Sequence, residues 1–239
     1  MVVMTKNGHS FYMINGQRNV APDNWEGYIV EELRARIKDH GLFVDVGANT
    51  GAYTIYLAED FDRVVAIEPH PINADVLRET VKLNEFENVE VLQTALWSEP
   101  ATLYLHQRSE GDLMEDSRTM LAPMEKDERT RFLRNMPVNA VKFDSLGLDP
   151  SVVKIDVVGS EMEVLKGMSE TIKRCHPLIL VETYNIFGVS KESVRNFLKG
   201  LGYDFKNLSD SGETAHDIFE YSGIPNRSFD IFEDTSEDA

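Results

Sequence analysis

Four acidic residues stand at or just before the ends of apolar runs. Asp45 follows Leu42-Phe43-Val44, Glu68 follows Val64-Val65-Ala66-Ile67, Asp156 follows Val152-Val153-Lys154-Ile155, and Glu182 follows Leu178-Ile179-Leu180-Val181. Each run reads as a strand buried on both faces. In an open parallel sheet, ligands bind in the crevice beyond the carboxyl ends of the strands. An acid buried there needs a donor, a cation or a substrate hydroxyl to offset its lost hydration. The chemistry open to such a set is proton acceptance, hydroxyl binding and cation binding. Asp156 precedes a glycine turn and so has two readings, a catalytic or substrate-binding carboxylate and a cap for the following helix.

The residues after the first run narrow the ligand. Asp45-Val46-Gly47-Ala48-Asn49-Thr50-Gly51 leads into Ala52–Ala58, which has helix length and an apolar side. Strand, glycine turn and helix form the first half of a nucleotide-binding βαβ unit. Gly47 and Gly51 permit a tight turn and let a ligand approach bare backbone, while the helix start offers free N–H groups. A dinucleotide fingerprint requires G-x-G-x-x-G. Here Asn49 occupies the second glycine position and the last glycine comes one residue early, which disfavours a pyrophosphate and with it an NAD-dependent oxidoreductase. S-adenosylmethionine (SAM) carries no phosphate, and its methionine carboxylate can use helix N–H groups and the Asn49 amide. Glu68, at the end of the second strand, is placed to accept hydrogen bonds from both ribose hydroxyls. The expected cofactor set is Asp45, Gly47, Ala48, Asn49, Gly51, Glu68 and Pro69, with Ala95 near the adenine at the end of a third strand, Val89–Gln93.

Methyl transfer from a sulfonium is an in-line displacement that holds the nucleophile about 3 Å from the methyl carbon. An alcohol nucleophile also needs a proton acceptor. Asp156 is the expected catalytic acid, with Glu161 or Glu182 beside it. A divalent ion bridging these acids suits their oxygen chemistry, but no dedicated oxygen-ligand loop is present, so the metal stays unassigned. His70 and His106 are alternative bases, each read as an ordinary solvated loop histidine.

The 239 residues suit one α/β domain with a sizeable core, and 42% hydrophobic content fits a globular chain. Lys and Arg number 24 against 41 Asp and Glu, a net charge of −17 that opposes nucleic-acid backbones and anionic membrane surfaces. No apolar run approaches the roughly eighteen residues of a membrane span, and Met1 to Gly16 lacks the pattern of a signal peptide. Cys175, the one cysteine, excludes an internal disulfide, suits a reducing cytoplasm and is expected to be buried.

In order, residues 1–20 read as a hairpin or arm, and a helix starts at Asp23 with Ile29, Leu33 and Ile37 on one face. Trp25, Glu26 and Tyr28 at its start either pack or wall the cofactor. Residues 1–41 thus form an N-terminal arm and helix. Another helix carries Ile72, Val76, Thr80 and Leu83. Ala101–Leu105 is an extra strand. Residues 106–139, polar and broken by Gly111, Pro123 and Pro137, read as a lid-like insertion without a strand pattern. Its cluster Arg129, Arg131 and Arg134 is read first as a solvated face paired with Glu125, Asp127 and Glu128. Val138–Phe143 is a strand, and Val164, Leu165, Met168 and Ile172 mark a helix. Ser190 caps another helix that ends before Gly202. Phe205–Leu208 and Ile218–Tyr221 form a closing hairpin, and the acidic tail 233–239 is read as disordered.

The motifs Phe43-Val44-Asp45-Val46-Gly47-Ala48-Asn49-Thr50-Gly51, Ile67-Glu68-Pro69, Asn88-Val89-Glu90-Val91 with Ala95-Leu96, Lys154-Ile155-Asp156-Val157-x-Gly159-x-Glu161 and Val164-Leu165-Lys166-Gly167 occur in this order. Together they resemble the FkbM-type methyltransferases from about Trp25 to Tyr203. The resemblance implies a Rossmann-like class I SAM-dependent fold, a seven-stranded, mostly parallel sheet with helices on both faces. It also implies O-methylation of a hydroxyl on a sugar, glycan or natural product, with S-adenosylhomocysteine as the product. On it, Asp45, Gly47, Asn49 and Gly51 line the methionine side of SAM, Glu68 the ribose, and Asp156 and Glu161 the acidic active-site motif. The family's second acid in Lys-Ile-Asp-Val-Glu-Gly-x-Glu is Val158 here, which brings in a further reading, a SAM-binding module that does not catalyse.

Overall fold

The computed structural model describes residues 2–6, 8–13, 26–107, 120–122, 134–184 and 189–223. The chain begins with an antiparallel hairpin, β1 (Val2–Lys6) and β2 (His9–Met13), docked on a helix farther along. There follow α1 (Gly27–Arg34), β3 (Leu42–Val46), α2 (Ala52–Leu57), β4 (Arg63–Ile67), α3 (Pro71–Leu83) and β5 (Val89–Leu92). Four strands come next, β6 (Ala95–Leu96), β7 (Ala101–Gln107), β8 (Met120–Ala122) and β9 (Arg134–Val141). The last third is β10 (Val152–Ile155), α4 (Glu161–Gly167), α5 (Ser169–Cys175), β11 (Leu178–Tyr184), α6 (Lys191–Gly200), β12 (Tyr203–Asp210) and β13 (Thr214–Tyr221).

Seven strands form the central sheet in the order β12-β13-β11-β10-β3-β4-β5. The five from β11 to β5 run parallel, and β13 is antiparallel to both its neighbours. Chain direction across the sheet reverses between β3 and β10, which opens a crevice beyond their carboxyl ends. The unbroken apolar runs follow from cover on both faces. Val44, Val46, Val153, Ile155 and Val181 point into a core shared with α4, α5 and α6. Phe43, Val64, Val152 and Leu180 point the other way, towards Leu33 of α1 and Tyr53 and Leu57 of α2. Because successive strand residues alternate faces, Asp45, Lys154, Asp156 and Glu182 all fall on the α1–α2 side. Among the described residues no helix is long and apolar enough to cross a membrane.

Several expectations need correction. The described parts of 106–139 are not patternless: β8 and β9 pair with β7 in a second sheet ordered β6-β9-β7-β8. Met136, Val138 and Ala140 alternate onto Leu103 and Leu105. Pro137 does not break β9, because β6 pairs only with Ala140 and Val141 and leaves that side of Pro137 open. The helix expected across Val164 to Ile172 is two, α4 and α5, meeting at Met168. The helix expected from Asp23 is described as α1 alone, and it ends before Ile37. Cys175 is only half-buried. Trp25, Asn15-Gly16, Arg129, Arg131, the side chains of His106 and Arg134, and the acidic tail 233–239 lie outside the described residues.

Candidate active site

The turn after β3 is fixed by backbone contacts. Gly47 and Ala48 donate their N–H groups to the Ile67 carbonyl at 2.9 and 3.1 Å, and Gly51 donates to Ala48 at 2.9 Å. Asn49, at φ 53°, donates its N–H to Glu68 Oε2 at 2.9 Å. These donors are therefore engaged inside the protein rather than aimed at a ligand. The two glycines answer to packing as well. A Cβ on Gly47, at φ 78°, would lie 1.8 Å from the Asp156 carbonyl oxygen, and one on Gly51, at φ 98°, would lie 2.2 Å from Leu77 Cδ1. Asn49, Gly47 and Pro69 are half-buried, whereas Ala48 is buried.

Glu68 is 6% exposed and accepts a second backbone hydrogen bond, from His70 N–H to Oε1 at 2.8 Å. Burial pushes its carboxyl up to about 7, against the pull of these N–H donors. The Asn73 side chain is a third donor, which leaves the carboxylate about one of its four acceptor sites for a ligand hydroxyl such as one on a ribose. His70 is not a solvated loop histidine but the buried cap of α3, and burial lowers its pKa.

Asp45 does not face the crevice. It is fully buried, accepts a hydrogen bond from Thr54 Oγ1 at 2.6 Å, and has Lys154 Nζ 3.5 Å from Oδ1. That last contact is an ion pair without hydrogen-bond geometry, as Oδ1 has no hydrogen-bond partner. Lys154 and Asp45 are register partners on adjacent strands. The same ammonium donates to Asp156 Oδ2 at 3.3 Å and lies 4.8 Å from the centre of the Tyr53 ring. Burial works against this charge, but Asp45 and Asp156 outweigh it and hold the lysine's pKa above its ordinary value.

Asp156 lies one residue beyond β10, half-buried, with its N–H on the Val46 carbonyl at 3.0 Å. Continuing the β10–β11 register places it opposite Glu182, which in turn is the register partner of His216 on β13. Glu182 therefore sits within β11 rather than at its end. Burial and the Glu182 charge raise the Asp156 pKa, with Lys154 opposing. Glu182 moves the other way: burial would raise it, but His216 holds it below the usual range. His216 Nε2 is 3.3 Å from Glu182 Oε2 and 3.7 Å from Glu26 Oε1. Burial is outweighed there too, and the two carboxylates carry the imidazole up to about 10. Glu26, the residue before α1, also accepts a hydrogen bond from the Tyr53 hydroxyl. Tyr28 is 55% exposed and touches none of this.

Glu161 is fully buried and folds back onto its own loop, accepting from Gly159 N–H at 2.9 Å. Burial pushes it up to about 7. It shapes the loop that carries Asp156. Ala95 is buried in the second sheet among Leu103, Leu105 and Ala140, so only its backbone edge can serve a ligand.

The Methyltransferase FkbM domain model matches residues 45–205. The chain belongs to the FkbM methyltransferase family. Methyltransferase sdnD of Sordaria araneosa is 26% identical over 213 residues, covering 77% of this chain and 81% of that protein. Methyltransferase 1 of Beauveria bassiana (strain ARSEF 2860) is 25% identical over 156 residues, covering 57% of this chain and 61% of that one. Among solved structures, Methyltransferase FkbM from Methylobacillus flagellatus KT aligns with TM-score 0.52 and 18% identity over 75% of this chain, which spans 43% of that protein. A Streptococcus mutans methyltransferase in complex with S-adenosylhomocysteine gives TM-score 0.52 and 11% identity, covering 81% of this chain and 95% of that one.

Family membership decides between the cofactor readings: this is a methyltransferase of the SAM-dependent kind, not an NAD-dependent oxidoreductase. Val158, where the sequence resemblance implies an acid, is 5% exposed and held at φ 49°. A β-branched residue rarely adopts that conformation, so the loop after Asp156 is strained there. Lys154, Tyr53 and His216 escaped the sequence reading as site residues, and Glu26 entered it only as packing or a wall beside the cofactor. Lysine inside an apolar strand run was a usable signal, since a buried ammonium requires carboxylate partners.

Proposed function

We propose that this FkbM family member transfers a methyl group from SAM to a hydroxyl on a sugar, glycan or natural product. One observation carries the reading: Asp156 is a half-buried acid whose pKa is raised, set against the glycine turn that forms the cofactor side. Asn49 and Pro69, both half-buried, border the cofactor, and Glu68 accepts a ribose hydroxyl. Bound SAM supplies an electrophilic methyl group on a sulfonium. With SAM bound, Asp156 would accept the proton of the acceptor hydroxyl. Lys154 positions Asp156, and Glu161 positions its loop through Gly159. The net charge of −17 favours a small neutral acceptor over a nucleic acid. A reducing cytoplasm is the compartment that fits the single cysteine.

The test is incubation of the full chain with a metabolite extract and SAM labelled in its methyl group, read by mass spectrometry. A labelled hydroxyl compound is expected. Cofactor binding with no labelled product across a broad hydroxyl panel would instead support the non-catalytic reading that Val158 raises.

A further inference from the structure

Glu26, Glu182 and His216 come from three separate elements, the residue before α1, the middle of β11 and the middle of β13. One ligand atom from each lies within 4.8 Å of the others. The two measured approaches, 3.3 Å from His216 Nε2 to Glu182 Oε2 and 3.7 Å to Glu26 Oε1, bracket a tetrahedral edge. Ligands about 2.0–2.2 Å from a metal are roughly 3.4 Å apart.

We propose that these three side chains bind one first-row divalent cation. Their outer atoms are already held as a metal site requires. The His216 ring is 8% exposed, and its Nε2, facing both carboxylates, has no hydrogen-bond partner. Its Nδ1 is 2.9 Å from Ser209 Oγ, the outer contact that fixes a metal-binding imidazole with the other nitrogen inward. The Tyr53 hydroxyl occupies Glu26 Oε2 and leaves Oε1 towards the imidazole. One imidazole and two carboxylates suit Zn²⁺, Mn²⁺ or Co²⁺. Three protein ligands leave a fourth position for water or a hydroxyl oxygen. The site stands on its own geometry, whatever the acceptor.

Calorimetric titration of the chelator-treated full chain with ZnCl₂ tests it, together with visible absorption on adding CoCl₂. One ion per chain is expected, with cobalt bands in the visible. His216→Ala and Glu182→Gln are each expected to weaken binding by a hundredfold or more, and Ser209→Ala by about tenfold. Ser209 is exposed, so that variant keeps the fold if His216→Ala does not. Circular dichroism monitors folding, and Glu26→Gln is a second ligand variant. Absence of heat and of cobalt bands up to millimolar metal would overturn the site, as would zinc binding unchanged in Ser209→Ala and Glu182→Gln. SAM titration of the same samples separates this failure from failure of the methyl-transfer reading.

Discussion

The two walls of the crevice are held by different means. At the ends of β3 and β4, Gly47, Ala48, Asn49 and His70 turn their backbone N–H groups onto the Ile67 carbonyl and the Glu68 carboxylate. At the end of β10 and within β11 and β13, the contacts join charged side chains: Lys154 with Asp156, and Glu182 with His216. A backbone-built wall presents a fixed shape that depends on glycine at two points. A side-chain wall presents a set of coupled charges, in which the loss of any member leaves another uncompensated. The first arrangement suits a cofactor whose form does not vary, and the second suits proton movement.

Four substitutions would break or sharpen that contrast. Asp156→Asn has the largest expected effect, a fall in kcat of about 10² to 10⁴ with SAM affinity retained, because only the proton acceptor is lost. Rapid-quench kinetics beside calorimetry would check it, and an equal loss of SAM affinity would contradict the division. Gly47→Ala comes next. Its new Cβ collides with the Asp156 carbonyl at a positive φ, so a destabilisation of about 2–4 kcal/mol is expected in urea denaturation. Wild-type stability in that assay would show that the turn relaxes freely.

Glu68→Gln should weaken SAM binding by roughly 10- to 100-fold, the loss of a charge-assisted hydrogen bond to the ribose. It should also change the pH dependence. The folded carboxyl titrates near 7 against an ordinary value of 4.5, so the folded state prefers the protonated form. Its contribution to stability is complete below 4.5, declines as pH rises to 7 and is lost above that. A hydroxyl donor favours the carboxylate, so SAM affinity should fall as pH drops below about 7. Glu68→Gln should remove both dependences, and an unchanged affinity profile would show that the ribose does not contact this residue. Ser190→Ala is the smallest and serves as a control on helix capping alone. Ser190 Oγ accepts from Ser193 N–H at 3.1 Å, so about 1 kcal/mol of stability should be lost with SAM affinity unchanged.

The same contrast governs what the sequence discloses. The β3 turn and Glu68 were legible because glycine spacing and an acid after an apolar run are local patterns. The open parallel sheet followed from the alternation of apolar runs with amphipathic helices, whereas its strand order was not legible. His216 had no such pattern: it meets Glu182 only because β13 inserts antiparallel beside β11. Glu26 was noted only as a residue at a helix start, and its role depends on where α1 docks. Asp45 was read as a cofactor contact and Glu161 as an active-site acid, but buried acids need not face a ligand. One is fixed by Thr54 and Lys154, the other by its own loop. The second sheet was hidden by Pro137, whose neighbouring strand stops short of it.

Lys154 stands in the sheet between the walls, its ammonium shared by Asp45, buried within β3, and Asp156 beyond β10. A chimera that joined the cofactor half of one relative to the acceptor half of another would inherit this cation with only one of its counter-ions matched. The two halves are therefore exchangeable only as a set, and a graft of either needs its seam drawn to keep β3 and β10 from the same parent.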